Sequence, residues 1–276
     1  MRAVKAILSR NLINFTRDKM RLFFTIFMSV FFLFIFSFVM KSAAVGIESP
    51  MNYLISGVII MTIFQASLNN SMGILEDMSN GYMKEILVAP IARWQISIGQ
   101  ILSSTLISFF QGLIVIVMGL FMGLELDFLH FIEMIGVMAL VGVTFGSLGL
   151  YLATLSRNST TFQLVITVIT MPLTFLSGAY IPTTVMPAFL RPIIYLNPLT
   201  YTTAAFRFIV LKMESLPAAA LIKAGVAYDI SGFTILPSLG LLMITVVGAV
   251  FFALCVSRFN RADFSAVKSF HGQHDK

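Results

Sequence analysis

A 276-residue chain that is 58% hydrophobic and only 11% charged, with a mean hydropathy of +0.94, cannot be a water-soluble globular domain, whose surface needs far more charge. A net charge of +6 would suggest nucleic acid for a soluble protein; here it suggests a membrane surface, provided the basic residues collect on one side. The single cysteine, Cys255, excludes an internal disulfide and, lying in an apolar run, reads as a small packing residue.

Residues 1–21 read as a basic amphipathic helix lying along the interface. Val4, Ile7, Leu8, Leu12 and Phe15 recur at helical spacing, with Lys5, Arg10, Asn14 and Arg17 between them. Arg17, Asp18 and Lys19 mark the turn into the first apolar run, Leu22 to Met40. A basic stretch, an apolar run and then small residues also describe a secretory signal peptide, but this run is too long, its basic region too extended, and further spans follow.

The second run, Tyr53 to Leu75, carries Gln65, Asn69 and Asn70 near its end, at a spacing that leans all three toward one face. Amides facing lipid are costly, so this face is expected to meet other helices or a pathway. The third run, Ile101 to Leu124, holds Gln111, Gly119 and Gly123; the fourth, Ile132 to Leu155, holds Gly142, Gly146 and Gly149, glycines read as helix-packing positions. The fifth, Phe162 to Ile181, contains Pro172, expected to kink it. Residues 182–234 hold apolar stretches too short to span, broken by five prolines, and fit re-entrant or surface helices. The sixth run is Ile235 to Val256, followed by a polar tail, residues 257–276.

Between the second and third runs, Glu76 to Arg93 forms a charged loop. Ser79, Asn80 and Gly81 make a turn cluster, and Pro90 stops the short amphipathic helix that Tyr82 begins. Six runs put both termini on one side. Of the 18 Lys and Arg residues, 13 fall on that side, in the N-terminal arm, the Glu76 loop, the Arg157 link and the tail, which makes it cytoplasmic by the positive-inside rule. The expected fold is thus an all-α integral membrane protein: an elbow helix (1–21), a six-span domain (22–256) with its cytoplasmic loop (76–100) and outer segment (182–234), and a cytoplasmic tail.

The missing chemistry narrows the function. No Gly-Lys pair occurs, so no phosphate-binding loop is present. The three histidines, His130, His271 and His274, lack metal-ligand spacing, and Ser147 lacks a histidine base within the spans. The runs are read as free of acidic and basic side chains, which argues against proton-coupled and many ion-coupled transport mechanisms and for energy supplied from elsewhere.

Two stretches carry a family resemblance. Gly81, Lys84, Glu85, Leu87, Pro90, Ile91 and Arg93, followed by Gly99 and Gln100, resemble the cytoplasmic loop of ABC type-2 permeases. Gly178, Pro182, Asn197, Pro198, Tyr201 and Arg207 resemble that family's signature before its last span, and the arm ending in Arg17-Asp18 is similar to its elbow. The branch that includes drug-resistance permeases is the nearest in flavour, with polysaccharide and nodulation-factor exporters nearby. The resemblance implies a permease subunit of an ATP-driven exporter in a prokaryotic cytoplasmic membrane, paired with a second permease copy or homologue. It also implies a separate ABC ATPase subunit that binds ATP and Mg, so that this chain is not itself an enzyme and holds no cofactor or metal. The coupling helix would be Gly81 to Ala89, offering Tyr82, Lys84, Glu85, Ile86, Leu87 and Arg93 to the ATPase; Gln65, Asn69 and Asn70 would face the pathway. Arg207 could pair with Glu214 or meet lipid phosphate. The cargo implied is a drug, a lipid or a glycan. The alternative is a membrane scaffold or channel subunit that docks a non-ATPase partner through residues 76–93; nucleic acid is not an expected partner.

Overall fold

The computed structural model describes residues 2–43, 49–88, 91–156, 158–230 and 232–261. Arg157, Pro90 and the tail beyond 261, all named above, lie outside them. Twelve α-helices and one short β-hairpin are described: α1 (Arg2–Arg17), α2 (Lys19–Ala43), α3 (Pro50–Asn69), α4 (Met72–Ser79), α5 (Tyr82–Val88), α6 (Arg93–Phe121), α7 (Phe128–Leu155), α8 (Ser159–Leu176), α9 (Arg191–Leu196), α10 (Pro198–Val210), α11 (Ala218–Lys223), β1 (Tyr228–Ile230), β2 (Phe233–Ile235) and α12 (Pro237–Arg261). Six of these helices, with α3 and α4 taken as one, are long and apolar enough to cross a membrane. The protein is an all-α multi-pass membrane protein; the antiparallel pair Tyr228–Ile235, Asp229–Thr234, Ile230–Phe233 is a small addition that the sequence pattern did not announce.

Helix α3 is the centre of the bundle. From Tyr53 to Met61 every residue is buried, because the stretch is apolar or small on all sides and α2, α6, α7 and α10 surround it. Helices α2 and α8 sit at the periphery. Phe23, Phe27 and Phe31 on one, and Leu164, Val168, Met171 and Phe175 on the other, are exposed, as expected of surfaces whose solvent is hydrocarbon.

Several boundaries differ from those read in the sequence. The second run is broken at Asn70 and Ser71, where the backbone tightens into i to i+3 hydrogen bonds: Ser71 N–H donates to Leu68 O at 3.1 Å and Gly73 N–H to Asn70 O at 3.3 Å. Helix α6 begins at Arg93, eight residues before the apolar run, since Trp94, Gln95 and Ser97 continue its pattern beyond the hydrocarbon stretch. Helix α8 runs unbroken through Pro172 and ends at Leu176; Ser177 to Tyr180 form a turn rather than span. Glu133 is an acidic residue within the fourth run as drawn. It is exposed in the second turn of α7, so the expectation that the runs hold no ionisable residue fails at this position.

Small residues set the helix spacing. A Cβ on Gly142 would stand 2.8 Å from Thr105 Cγ2, and on Gly149 2.8 Å from the Leu68 carbonyl, so α7 lies directly against α6 and α3. Gly119 packs in the same way, 2.8 Å from Ile55. Gly123 does not: nothing lies within 4 Å of its Cβ position, and it serves the turn after α6 instead. Cys255 is fully buried, as a packing residue should be.

Candidate functional sites at the near end and in the α2–α3 cleft

The near end of the bundle is the one carrying α1, α4 and α5. Helix α1 buries Ile7 and Phe15, and Ile7 seats directly on Gly99 of α6, where a Cβ would come within 3.1 Å of it. This approach aligns a polar row on α1 with the loop helices. Arg10 donates to Asp77 of α4 at 2.5 Å and lies over the Tyr82 ring of α5, 4.6 Å from its centre. Arg10 also donates to Asn11 Oδ1 at 2.9 Å, and Asn11 Nδ2 donates to Gln100 Oε1 on α6 at 2.8 Å. One network therefore joins the N-terminal helix, both short loop helices and a spanning helix. Burial alone would lower the Arg10 pKa, but the hydrogen bond and charge of Asp77, with Tyr82 behind them, raise it above its ordinary value.

The predicted loop residues fall around this network. Gly81 takes φ of 78°, a conformation an L-residue with a Cβ adopts at a cost, and reverses the chain between α4 and α5. Tyr82 is partly exposed beneath Arg10, and Ile86 is half-buried against the core with Met83 beside it. Lys84, Glu85 and Leu87 are on α5; their side chains, like all of Pro90, lie outside the described residues. Arg93, at the first turn of α6, donates to the Asn260 carbonyl near the C-terminus of α12 at 3.3 Å, where a cation also meets the negative end of the helix dipole. Arg17 is exposed at the end of α1. Asp18 caps α2, accepting from the Arg21 backbone N–H at 3.0 Å.

A cleft of about 320 Å³ opens between α2 and α3, reaching Gln111 of α6 and Tyr180. Of the three amides predicted to share a face, Gln65 and Asn69 line it. Asn70 turns aside, accepting from Arg21 and donating to the Ser104 carbonyl at 3.5 Å. Arg21 and Gln111 join the site although the sequence reading assigned neither to it. Both carried a signal: a cation at the start of an apolar run and an amide inside one.

At the far end, the signature residues build a clamp around the turn after α8. Arg207, 1% exposed, donates from Nη2 to Gly178 O at 3.0 Å and Ala179 O at 3.3 Å, and lies over the Tyr53 ring; Tyr53 O–H donates to Gly178 O at 3.0 Å. Gly178 has φ of 80°, which presents its carbonyl to both donors. Arg207 thus pairs with neither candidate named from the sequence; Glu214 instead meets His130 at 3.2 Å. Asn197 caps α10 through the Leu199 N–H at 2.9 Å and donates to Leu173 O at 2.8 Å, with Pro198 at the first helical position. Pro182 precedes a single 3₁₀ turn. Among the described residues, no group of three or more His, Cys, Asp or Glu could hold a metal ion.

These features define a multi-pass helical membrane protein with a charged junction at one end and a polar cleft within. The chain belongs to the ABC-2 type transporter family, whose family model matches residues 2–211. It is 29% identical to a putative transport permease, ycf38, of Cyanophora paradoxa over 209 residues, covering 74% of this chain and 72% of that protein. It is 25% identical to the inner membrane transport permease YadH of Escherichia coli K12 over 193 residues, 69% of this chain and 75% of that one. A probable multidrug ABC transporter permease of the same strain, YbhR, is 25% identical over 158 residues, 57% of this chain and 43% of that one. Membership makes the chain a membrane permease subunit of an ABC transporter, a family that works with an ABC ATPase.

Proposed function

We propose that this chain is the permease of an ATP-driven exporter, that two permeases pair to enclose the pathway, and that a separate ATPase, which binds ATP and Mg, docks on α5 with α1 as its second contact. The observation that carries this reading is the Arg10 bridge to Asp77 and Tyr82. A soluble partner that pushes on α5 moves α4 and α1 with it through a half-buried charge pair, and α4 joins the central helix α3 through the short turn at Asn70 and Ser71. The apolar side chains Tyr82 and Val88, exposed on α5, supply the kind of anchor that seats in a groove of a partner.

In this reading the near end is cytoplasmic, following the excess of Lys and Arg there, and the far-end helices α9 to α11 cap the pathway outside. A prokaryotic cytoplasmic membrane suits the similarity to the Escherichia coli inner membrane permease. The cargo class is a drug, a lipid or a glycan.

Purification of the chain from its native membrane in mild detergent, with mass spectrometry of its companions, tests the proposal. A stoichiometric P-loop ATPase is expected. A stable permease dimer without any ATPase would overturn the ATP-driven mechanism. The presence or absence of a second, different permease decides between homodimer and heterodimer.

A further inference from the structure

We propose that the α2–α3 cleft binds the head of an anionic phospholipid whose headgroup carries hydroxyl donors, phosphatidylglycerol being the simplest of the class. Naming this lipid as cargo rests on the export reading above; the binding itself rests on the groups lining the cleft.

The cleft offers one cation, hydroxyls engaged with the backbone, and two buried amide oxygens without a donor. Arg21 stands at its near-end mouth, half-buried, bonded to Asn70 Oδ1, and has no carboxylate in ion-pair contact among the described residues. A guanidinium has five N–H donors, so most remain for a phosphate. Deeper in, the Thr25 hydroxyl donates to Arg21 O at 2.9 Å, the Ser29 hydroxyl to Thr25 O at 3.0 Å and the Thr62 hydroxyl to Val58 O at 2.8 Å. Each of these hydroxyls has a backbone carbonyl of its own helix within bonding distance, and Ser29 and Thr62 also meet at 3.4 Å with either able to donate, so their protons are taken up within the helices and their oxygens face the cleft as acceptors.

Gln111 supplies the deepest of these acceptors. Its Nε2 donates to Thr25 Oγ1 at 3.1 Å, the amide orientation assigned to agree with the Thr25 hydroxyl donating to Arg21 O. Its Oε1 is therefore left without a partner, on a side chain only 2% exposed that lines the cleft. Asn69 Oδ1, on another residue lining the cleft, is buried and unpartnered as well. A buried amide oxygen without a donor is costly, and a ligand that supplies hydroxyl protons removes that cost. Phe24, Met28, Phe32, Val58 and Met61 form the apolar remainder of the wall. Phosphate on Arg21 with hydroxyls on Gln111 and Asn69 matches this order of groups; an uncharged hydrocarbon would leave every one of them unpaired.

The test uses the full chain in phosphatidylcholine nanodiscs, without ATPase or nucleotide, doped with photoactivatable phosphatidylglycerol, phosphatidic acid or phosphatidylcholine. Labelled peptides from α2 and α3 are quantified by mass spectrometry. Phosphatidylglycerol is expected to label most and phosphatidylcholine least. Arg21→Gln should lower phosphatidylglycerol labelling about tenfold, with Arg21→Lys restoring part of it, and Gln111→Leu should lower it about threefold, to the level of phosphatidic acid. Gln65→Phe, at an exposed position that disturbs no core contact, should fill the cleft and abolish the preference even if the other variants fold poorly. Equal labelling by the three lipids overturns the proposal. So does efficient Gln65→Cys disulfide cross-linking between two copies without lipid labelling, which would make the cleft a contact between protomers. If the lipids discriminate as expected but no ATPase accompanies the chain, the site stands and the ATP-driven reading falls. If an ATPase accompanies the chain but the lipids do not discriminate, the ATP-driven reading stands and the lipid site falls.

Discussion

The guanidinium carbon of Arg207 lies 3.4 Å from the centre of the Tyr53 ring, which places a cation from α10 over an aromatic ring on the first turn of the central helix α3. Its Nη2 reaches two carbonyls of the turn after α8, so one buried side chain ties α3, α8 and α10 together. Replacing Arg207 by Lys keeps the charge but loses the planar fork and the stacking. A loss of about 2 kcal/mol, the range of hydrogen bonds to charged groups, is expected, seen as a lower Tm in detergent. Arg207→Lys as stable as wild type would show that the clamp contributes no stability.

Arg10 and Asp77 should behave as a coupled pair. Arg10→Asp and Asp77→Arg are each expected to reduce transport per ATP hydrolysed, and the double swap to restore part of it. The coupling energy from the double-mutant cycle should be about 1 kcal/mol, given that both side chains are partly shielded from water. Strict additivity of the two variants would show that α1 and α4 act independently.

Gly57 bears on the same far-end turn from the other side. A Cβ there would lie 2.1 Å from the Ala179 carbonyl oxygen, a backbone atom that cannot swing away. Gly57→Ala is expected to cost about 1–3 kcal/mol as an overpacked core position, whereas Gly136→Ala, inside α7 with open space around it, should not lower thermal stability. Unfolding midpoints of the two variants, measured side by side, test this contrast.

Asp127 and Lys212 join the loop before α7 to the segment after α10, 2.6 Å apart. The hydrogen bond from Lys212, with its charge, holds the Asp127 carboxyl below its ordinary 3.8, and the bond to Asp127 holds Lys212 above its ordinary 10.5. A depressed carboxylate stabilises above the ordinary value and loses that effect as pH falls through its folded pKa. A raised amine stabilises below its ordinary value and loses that effect as pH rises through its folded pKa. The wild type's thermal margin over Asp127→Asn should therefore be flat from about pH 5 to 9 and shrink beyond either end, and high salt should shrink it throughout because the pair is exposed. A margin that peaks sharply within the flat range would implicate another group.

The six membrane runs, the amphipathic N-terminal helix and the helical loop at Tyr82 were legible in the sequence because hydrophobic length and periodicity are local properties, carried by consecutive residues whatever surrounds them. The cleft was partly legible: amides at Gln65 and Asn69 advertise themselves against an apolar background. Asn70, one position further, could not be told from them, since its neighbour Arg21 is 49 residues away. The break of the second run at Asn70 was hidden for the same reason, as its composition continues smoothly while the backbone turns.

Tertiary structure alone decided the pairings. Arg10 meets Asp77 across 67 residues, and Arg207 meets the Gly178 carbonyl across 29 rather than Glu214 seven positions on. Both choices depend on which helices the glycines at 57 and 99 allow to touch. Composition states that a charge needs a partner; only the packing of surfaces distant in the chain settles which partner lies within 3 Å.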